Sequence, residues 1–300
     1  MSAHAEFLRA ATTDAALAAQ IKSDFRRAKL SGQDFRMLEF VEKLSLYPWR
    51  VVASDIQGLR DIGFSNQEIL HIVLGCSHFN YLNRIADGVG IQFEYQSDLP
   101  DFEKPAVDSL KNEHPAGEAA SLPPSNPPSG PWISYPQTQN FLFSPDEPRL
   151  LFLVLGSNPE AQSLVRAWRA YQLTPSPLLD ARLRARLALY VSGINRCGYS
   201  SAWFTQSLKT LGESESACSQ LSLGLKPPHL SVTDSRLFDF ALLLSREAWK
   251  TTETHIGTLR THGLDDPTLL KVMMLVSYVN FENRVALGLG LPNDSPGETD

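Results

Sequence analysis

The sequence is poor in the features that mark many protein classes, and each shortage excludes something. It has three cysteines, Cys76, Cys197 and Cys218, too few for a disulfide framework. It has no basic run, and its net charge is -6, so nothing in it forms an electrostatic footprint for nucleic acid or an anionic membrane surface. No apolar run approaches the roughly 18–20 residues needed to span a bilayer. The opening MSAHAEFLRAATTD lacks the basic stretch and apolar core of a secretory signal. Reduced thiols without an export signal fit the cytoplasm. No segment alternates polar and apolar residues between turn signals, so strands are not expected. No His, Cys, Asp or Glu set has metal-ligand spacing, and no cofactor is expected.

What the chain does contain, it contains twice. Residues 76–91 read CSHFNYLNRIADGVGI, and residues 276–291 read VSYVNFENRVALGLGL. The offset of 200 residues runs back without a gap. Leu30-Ser31 faces Leu230-Ser231, Arg36 faces Arg236, Trp49 faces Trp249, Leu59-Arg60 faces Leu259-Arg260, and Gly63 faces Gly263. An ungapped register of this length reads as a duplication. A chain of 300 residues has room for two such copies.

The local signals are helical. Asp14 is placed to cap a helix running to about Lys29. Met37, Leu38, Val41 and Leu44 recur at helical spacing until Pro48. Ser54 starts a short helix that Gly63 closes. Ser65-Asn-Gln-Glu68 is a capping box opening a long apolar helix from Ile69 to about Ala86, with Gly88 and Gly90 as its terminators. Residues 99–138 hold nine of the chain's 20 prolines and read as a linker, in which Trp132 and Ile133 are candidates to dock on a neighbouring domain. Three apolar-periodic segments follow from Ser144, then a helix from Tyr199 to Leu211, then the second copy. The expected division is residues 1–98, a linker over 99–140, and residues 141–300. The reading is an all-α protein.

The copies differ at their start. Met1 aligns with Ser201, so the first copy lacks a counterpart of residues 145–200. Its apolar face (Leu38, Val41, Ile69, Ile72, Val73) is therefore expected to bury against residues 145–195 or another subunit, because helices are held mainly by packing that face.

Asn-Arg followed by Ala and Gly-x-Gly after a long apolar helix, itself preceded by Leu-Arg-x-x-Gly-Phe-Ser, resembles the AhpD-like superfamily. This is the alkylhydroperoxidase and carboxymuconolactone decarboxylase group, in particular its peroxidase-related branch. The resemblance covers 1–91 and about 145–291. It implies an all-α, oligomeric AhpD-like helical bundle in two tandem copies, the first incomplete, and a thiol-dependent antioxidant activity drawing on an external thiol reductant. Peroxidase members carry Cys-x-x-Cys-x-x-x-His with a glutamate upstream, one thiolate attacking peroxide and the other resolving it while Glu and His move protons.

Carried onto this chain, the motif is degenerate. Cys197 holds the first cysteine position, but Ser200 stands at the second, Phe204 at the histidine, and Ala185 at the glutamate. In the first copy His4 aligns with Phe204, and the resolving position would fall just before Met1. Cys197 and His4 are thus the candidate catalytic residues; a cysteine at a helix start is placed for a lowered pKa, and the alternative reading of Cys197 is a partly buried structural thiol. The resemblance also leaves a non-catalytic oligomeric scaffold or regulatory paralogue and a cysteine-independent decarboxylase as rivals. Cys76 and Cys218 face Val276 and Ala18 across the copies and read as small core residues. His71 and His78 have no second ligand at metal spacing. Arg84 and Arg284 fall near helix ends, where a capping or interface role suits a cation.

Overall fold

The computed structural model describes residues 14–91, 128–136 and 147–293 apart from 175 and 228, together with Leu8, Arg9 and Ala11. Among these every regular element is helical, and the only extended pairing is a single bridge between Ser176 and Leu179. The protein is all-α.

Side-chain caps set the helix starts, as the sequence signals require. Asp14 accepts from the Leu17 N–H at 2.9 Å and opens α1 (Ala15–Asp24). Ser31 opens α2 (Gly32–Leu46), which stops before a short 3-10 turn at Pro48. After α3 (Ala53–Asp61), Ser65 and Glu68 cap reciprocally at the start of α4 (Asn66–Val89). Beyond the proline-rich stretch come α5 (Arg149–Leu155), α6 (Pro159–Leu173), α7 (Ala181–Ile194), α8 (Gly198–Thr210) and α9 (Glu215–Ser222). The chain closes with α10 (Val232–Arg246), α11 (Glu253–Thr261) and α12 (Asp266–Leu289). The bounds of α2, α3 and α4 reappear in α10, α11 and α12 at the 200-residue offset.

The two long helices run past each other antiparallel. A Cβ built on Gly88 would meet Leu244 and Met273 at 3.2 and 3.4 Å, and one on Gly288 would meet Val73 and Leu44 at 3.0 and 3.2 Å. The expectation that Gly88 ends the helix is therefore corrected. It lies inside α4 as a contact point, and only Gly90, left-handed at φ 70°, is the cap.

The cover of the first half's apolar face also differs from expectation. Ile69 and Val73 are fully buried, while Leu38, Val41 and Ile72 are half-buried. Val73 packs on Gly288 of α12, which lies outside 145–195. The cover is α12, a helix of the same length that packs along α4. Residues 145–195 contribute at one edge, where the Trp168 ring lies 4.5 Å from that of Tyr81.

Residues 131–133 dock as expected. The Trp132 N–H donates to the Leu289 carbonyl at 2.8 Å, its ring lies over Gly290, Arg60 donates to its carbonyl, and Ile133 is buried.

Candidate functional site

The turn from α7 into α8 places Cys197. Arg196 takes a left-handed φ of 52°, and the Cys197 N–H folds back onto the Ser192 carbonyl at 2.9 Å. Cys197 then stands at the N-cap of α8. Its thiol donates to the Ser200 hydroxyl, Sγ to Oγ 3.5 Å. Both residues are completely buried.

These surroundings do not favour a thiolate. Burial pushes the Cys197 pKa up, the hydrogen bonds with Ser200 pull it down, and the nearby Glu282 carboxylate pushes it up again. The outcome is about 11. A helix N-terminus favours a thiolate and burial opposes it, and burial is the larger effect here. Of the remaining motif positions, Phe204 and Ala185 are buried and carry no titratable group. His4 lies outside the described residues.

The structure brings to this place three residues that the motif did not include. Glu282 of α12 is 1% exposed and pairs with Arg169 of α6, Nε to Oε2 3.1 Å. Tyr278 donates its hydroxyl to the same carboxylate at 2.9 Å. The Arg169 guanidinium lies 5.5 Å from the Trp203 ring and 5.9 Å from the Phe204 ring. Burial and the Glu282 charge hold the Tyr278 phenol well above its ordinary value. The other Glu282 oxygen, Oε1, and the Trp203 indole nitrogen have no hydrogen-bond partner among the described residues. One signal for this cluster was present in the sequence. Glu282 is the one acidic residue of α12 beyond its first turn, 200 residues after Leu82.

The other cysteines sit in closed surroundings. Cys76 Sγ lies 3.3 Å from Ser45 Oγ and 3.7 Å from Asn80 Nδ2, and burial pushes its pKa up. Cys218, on the buried side of α9, has its pKa likewise raised by burial. His71 and His78 are exposed, and among the described residues no group of three His, Cys, Asp or Glu side chains could hold a metal. One surface hollow lies beside Arg186 and Glu213 and another beside Arg60 and Trp132, and neither is lined by Cys197. No helix among the described residues is long and apolar enough to cross a membrane.

The class defined so far is an all-α protein with a buried thiol at the start of one helix and a buried ion pair beside it. No family model matches the sequence, and no curated protein matches it. Solved structures do. An uncharacterized peroxidase-related protein from Silicibacter sp. TM1040 aligns with a TM-score of 0.49 and 20% identity, over 58% of this chain and 95% of that one. An alkylhydroperoxidase AhpD core, an uncharacterized peroxidase-related protein from Ralstonia eutropha JMP134, aligns with a TM-score of 0.45 and 21% identity, over 48% of this chain and 76% of that one.

Proposed function

We propose that this chain is an AhpD-like protein of two tandem copies in which the peroxidase site has been closed, leaving a non-catalytic structural or regulatory protein. The observation that carries this reading is the state of Cys197, which is sealed, raised to about 11 and hydrogen-bonded to a serine where a resolving thiol would be. A peroxidatic cysteine must present a thiolate to peroxide, and a second thiol must remove the sulfenic acid before it oxidises further. Serine cannot form that disulfide, and Phe204 cannot carry a proton. The duplicated-copy part of the reading is supported by the matched bounds of α2–α4 and α10–α12.

Steady-state peroxide consumption by the purified chain with a dithiol reductant tests the proposal, with Cys197→Ser as control. The expected result is no consumption above that of the control. Robust turnover lost in Cys197→Ser would overturn it and make this chain a one-cysteine peroxidase. Robust turnover surviving in that variant would also overturn it, and would place the chemistry elsewhere.

A further inference from the structure

Four arginines gather where three helices end. Arg84 of α4 and Arg284 of α12 donate to the Ser245 and Ser45 carbonyls, in the last turns of α10 and α2. Arg246, the last residue of α10, donates to the Ile194 carbonyl at the end of α7. Arg196 follows α7 in the left-handed conformation. Its guanidinium and that of Arg246 lie 5.5 and 4.6 Å from the centre of the Trp49 ring. Burial, and after it the charges of Arg284 and Arg196, depress the Arg246 pKa, while burial and then Arg284 and Arg246 depress that of Arg84.

No carboxylate among the described residues pairs with any of the four. Glu247, which follows Arg246, pairs with Lys250 instead. Asp87 acts on Arg84 from beyond ion-pair distance. A helix C-terminus carries roughly half a negative charge, so three of them together with Asp87 offset roughly 2.5 of the four positive charges. The remainder, roughly 1.5, matches a phosphate group near neutral pH, which carries about −1.5 to −2.

Donors are left over as well. Arg84 Nε and Arg284 Nε are buried with no acceptor among the described residues. Arg246 uses one nitrogen, and both it and Arg196 are half-exposed, so their remaining N–H groups can be reached from solvent. Planar guanidinium forks suit the oxygens of a phosphate. A device serving only to cap helix ends would recur in both halves, as the Arg84 and Arg284 contacts do. The outer pair does not recur. Arg246 faces Leu46 at the 200-residue offset, and among the described residues no guanidinium lies over Trp249, the counterpart of Trp49.

We infer that Arg196 and Arg246, backed by Arg84 and Arg284, form a binding site for the phosphate group of a small anionic ligand. The inference rests on side chains other than Cys197 and does not depend on the proposed loss of peroxidase chemistry.

Titration calorimetry of the full chain with inorganic phosphate and with methyl phosphate tests it, the ionic strength being held constant with chloride. The expected result is saturable binding at one site. Tighter binding of inorganic phosphate would support the inference with the free anion as ligand, and tighter binding of methyl phosphate would support it with a phosphate ester. Arg196→Gln and Arg246→Gln should each raise the dissociation constant at least about tenfold. Arg36→Gln, which removes an exposed arginine paired with Glu39 on α2, should leave it unchanged. If Arg246→Gln folds poorly by far-ultraviolet dichroism, phenylglyoxal modification of the unmodified chain replaces it. Phosphate should then slow the reaction at Arg196 severalfold and leave Arg36 unaffected. The inference would be overturned if neither phosphate saturates a site below about 10 mM. Chloride competing equally at matched concentration, or binding undiminished in Arg196→Gln, would overturn it too.

Discussion

Arg84 donates from Nη2 to the carbonyl of Ser245 at 2.9 Å, across 161 residues of sequence. Arg284 donates from Nη2 to the carbonyl of Ser45 at the same distance. Each carbonyl lies in the last turn of a helix, α10 and α2, where the backbone has no partner of its own. Each arginine also holds an asparagine four residues back, Arg84 binding Asn80 and Arg284 binding Asn280 through both the backbone and side-chain oxygens. Each asparagine in turn donates to the serine hydroxyl of its own half, Asn80 to Ser45 and Asn280 to Ser245, both at 2.9 Å. The two halves thus cap each other reciprocally. The sequence expectation of a capping or interface role for these arginines is refined, because the helix end that each one serves belongs to the other half.

Arg284 carries the first prediction. It is 2% exposed, and replacing it by methionine leaves the part-buried Ser45 carbonyl without this donor, while Asn280 Oδ1 keeps the amide of Asn195. A buried acceptor stripped of its partner costs about 1–3 kcal/mol. Arg284→Lys should recover little, since an ammonium on a single stem cannot fork between two acceptors as a planar guanidinium does. Urea unfolding of the three chains measures this, and a lysine variant as stable as wild type would show that charge alone suffices.

How much of this was legible beforehand depends on range. The caps at Asp14, Ser31 and Ser65 and the helix α6 over 159–173 follow from local chemistry, so the sequence shows them directly. The repeat register likewise anticipated the matching helices. The crossing of α4 and α12 did not follow, because a periodic stripe says that a face is buried but not by what. The setting of Cys197 did not follow either, for a related reason. Its place at a helix start is local, while the desolvation that raises its pKa comes from α7, α8 and α12 closing around it. The pairing of Glu282 was not legible either, because its partner Arg169 lies on a helix that no spacing rule connects to it.

Glu282 carries the second prediction. Its pairing with Arg169 is nearly dry, with side chains 1% and 8% exposed. Changing Glu282 to leucine, the residue at the equivalent position of the first half, leaves a buried guanidinium without its anion and should cost about 3–5 kcal/mol. The double variant Glu282→Leu, Arg169→Met removes both charges and should recover most of that loss, because two apolar groups of similar size replace a pair whose desolvation was itself expensive. Denaturant midpoints of the single and double variants decide it. A double variant as unstable as the single one would mean that the cost lies in packing and not in the stranded charge.

Cys197 gives a prediction in the alkaline range. In an unfolded chain its thiol ionises near the ordinary value of 9.0, and in the folded protein only at about 11. Below about pH 9 both states keep the proton, and the stability contributed by the thiol is constant. Between about 9 and 11 the unfolded chain gives up the proton first, so unfolding becomes progressively easier. The contribution is therefore present in full below 9 and lost as pH rises towards 11. The arginines with depressed values, Arg246 and Arg284, both brought to about 10 chiefly by burial, act in the opposite direction. They are common to wild type and Cys197→Ala and largely cancel in the difference between the two chains. That difference, measured by urea unfolding, should be flat from pH 7 to about 9 and then shrink by about 1.4 kcal/mol per pH unit. Alkylation of Cys197 in the folded chain should remain negligible at pH 8. A difference that stays flat to pH 10.5, together with rapid alkylation at pH 8, would mean that water and peroxide reach the thiol, and the closed-site reading would fall with it.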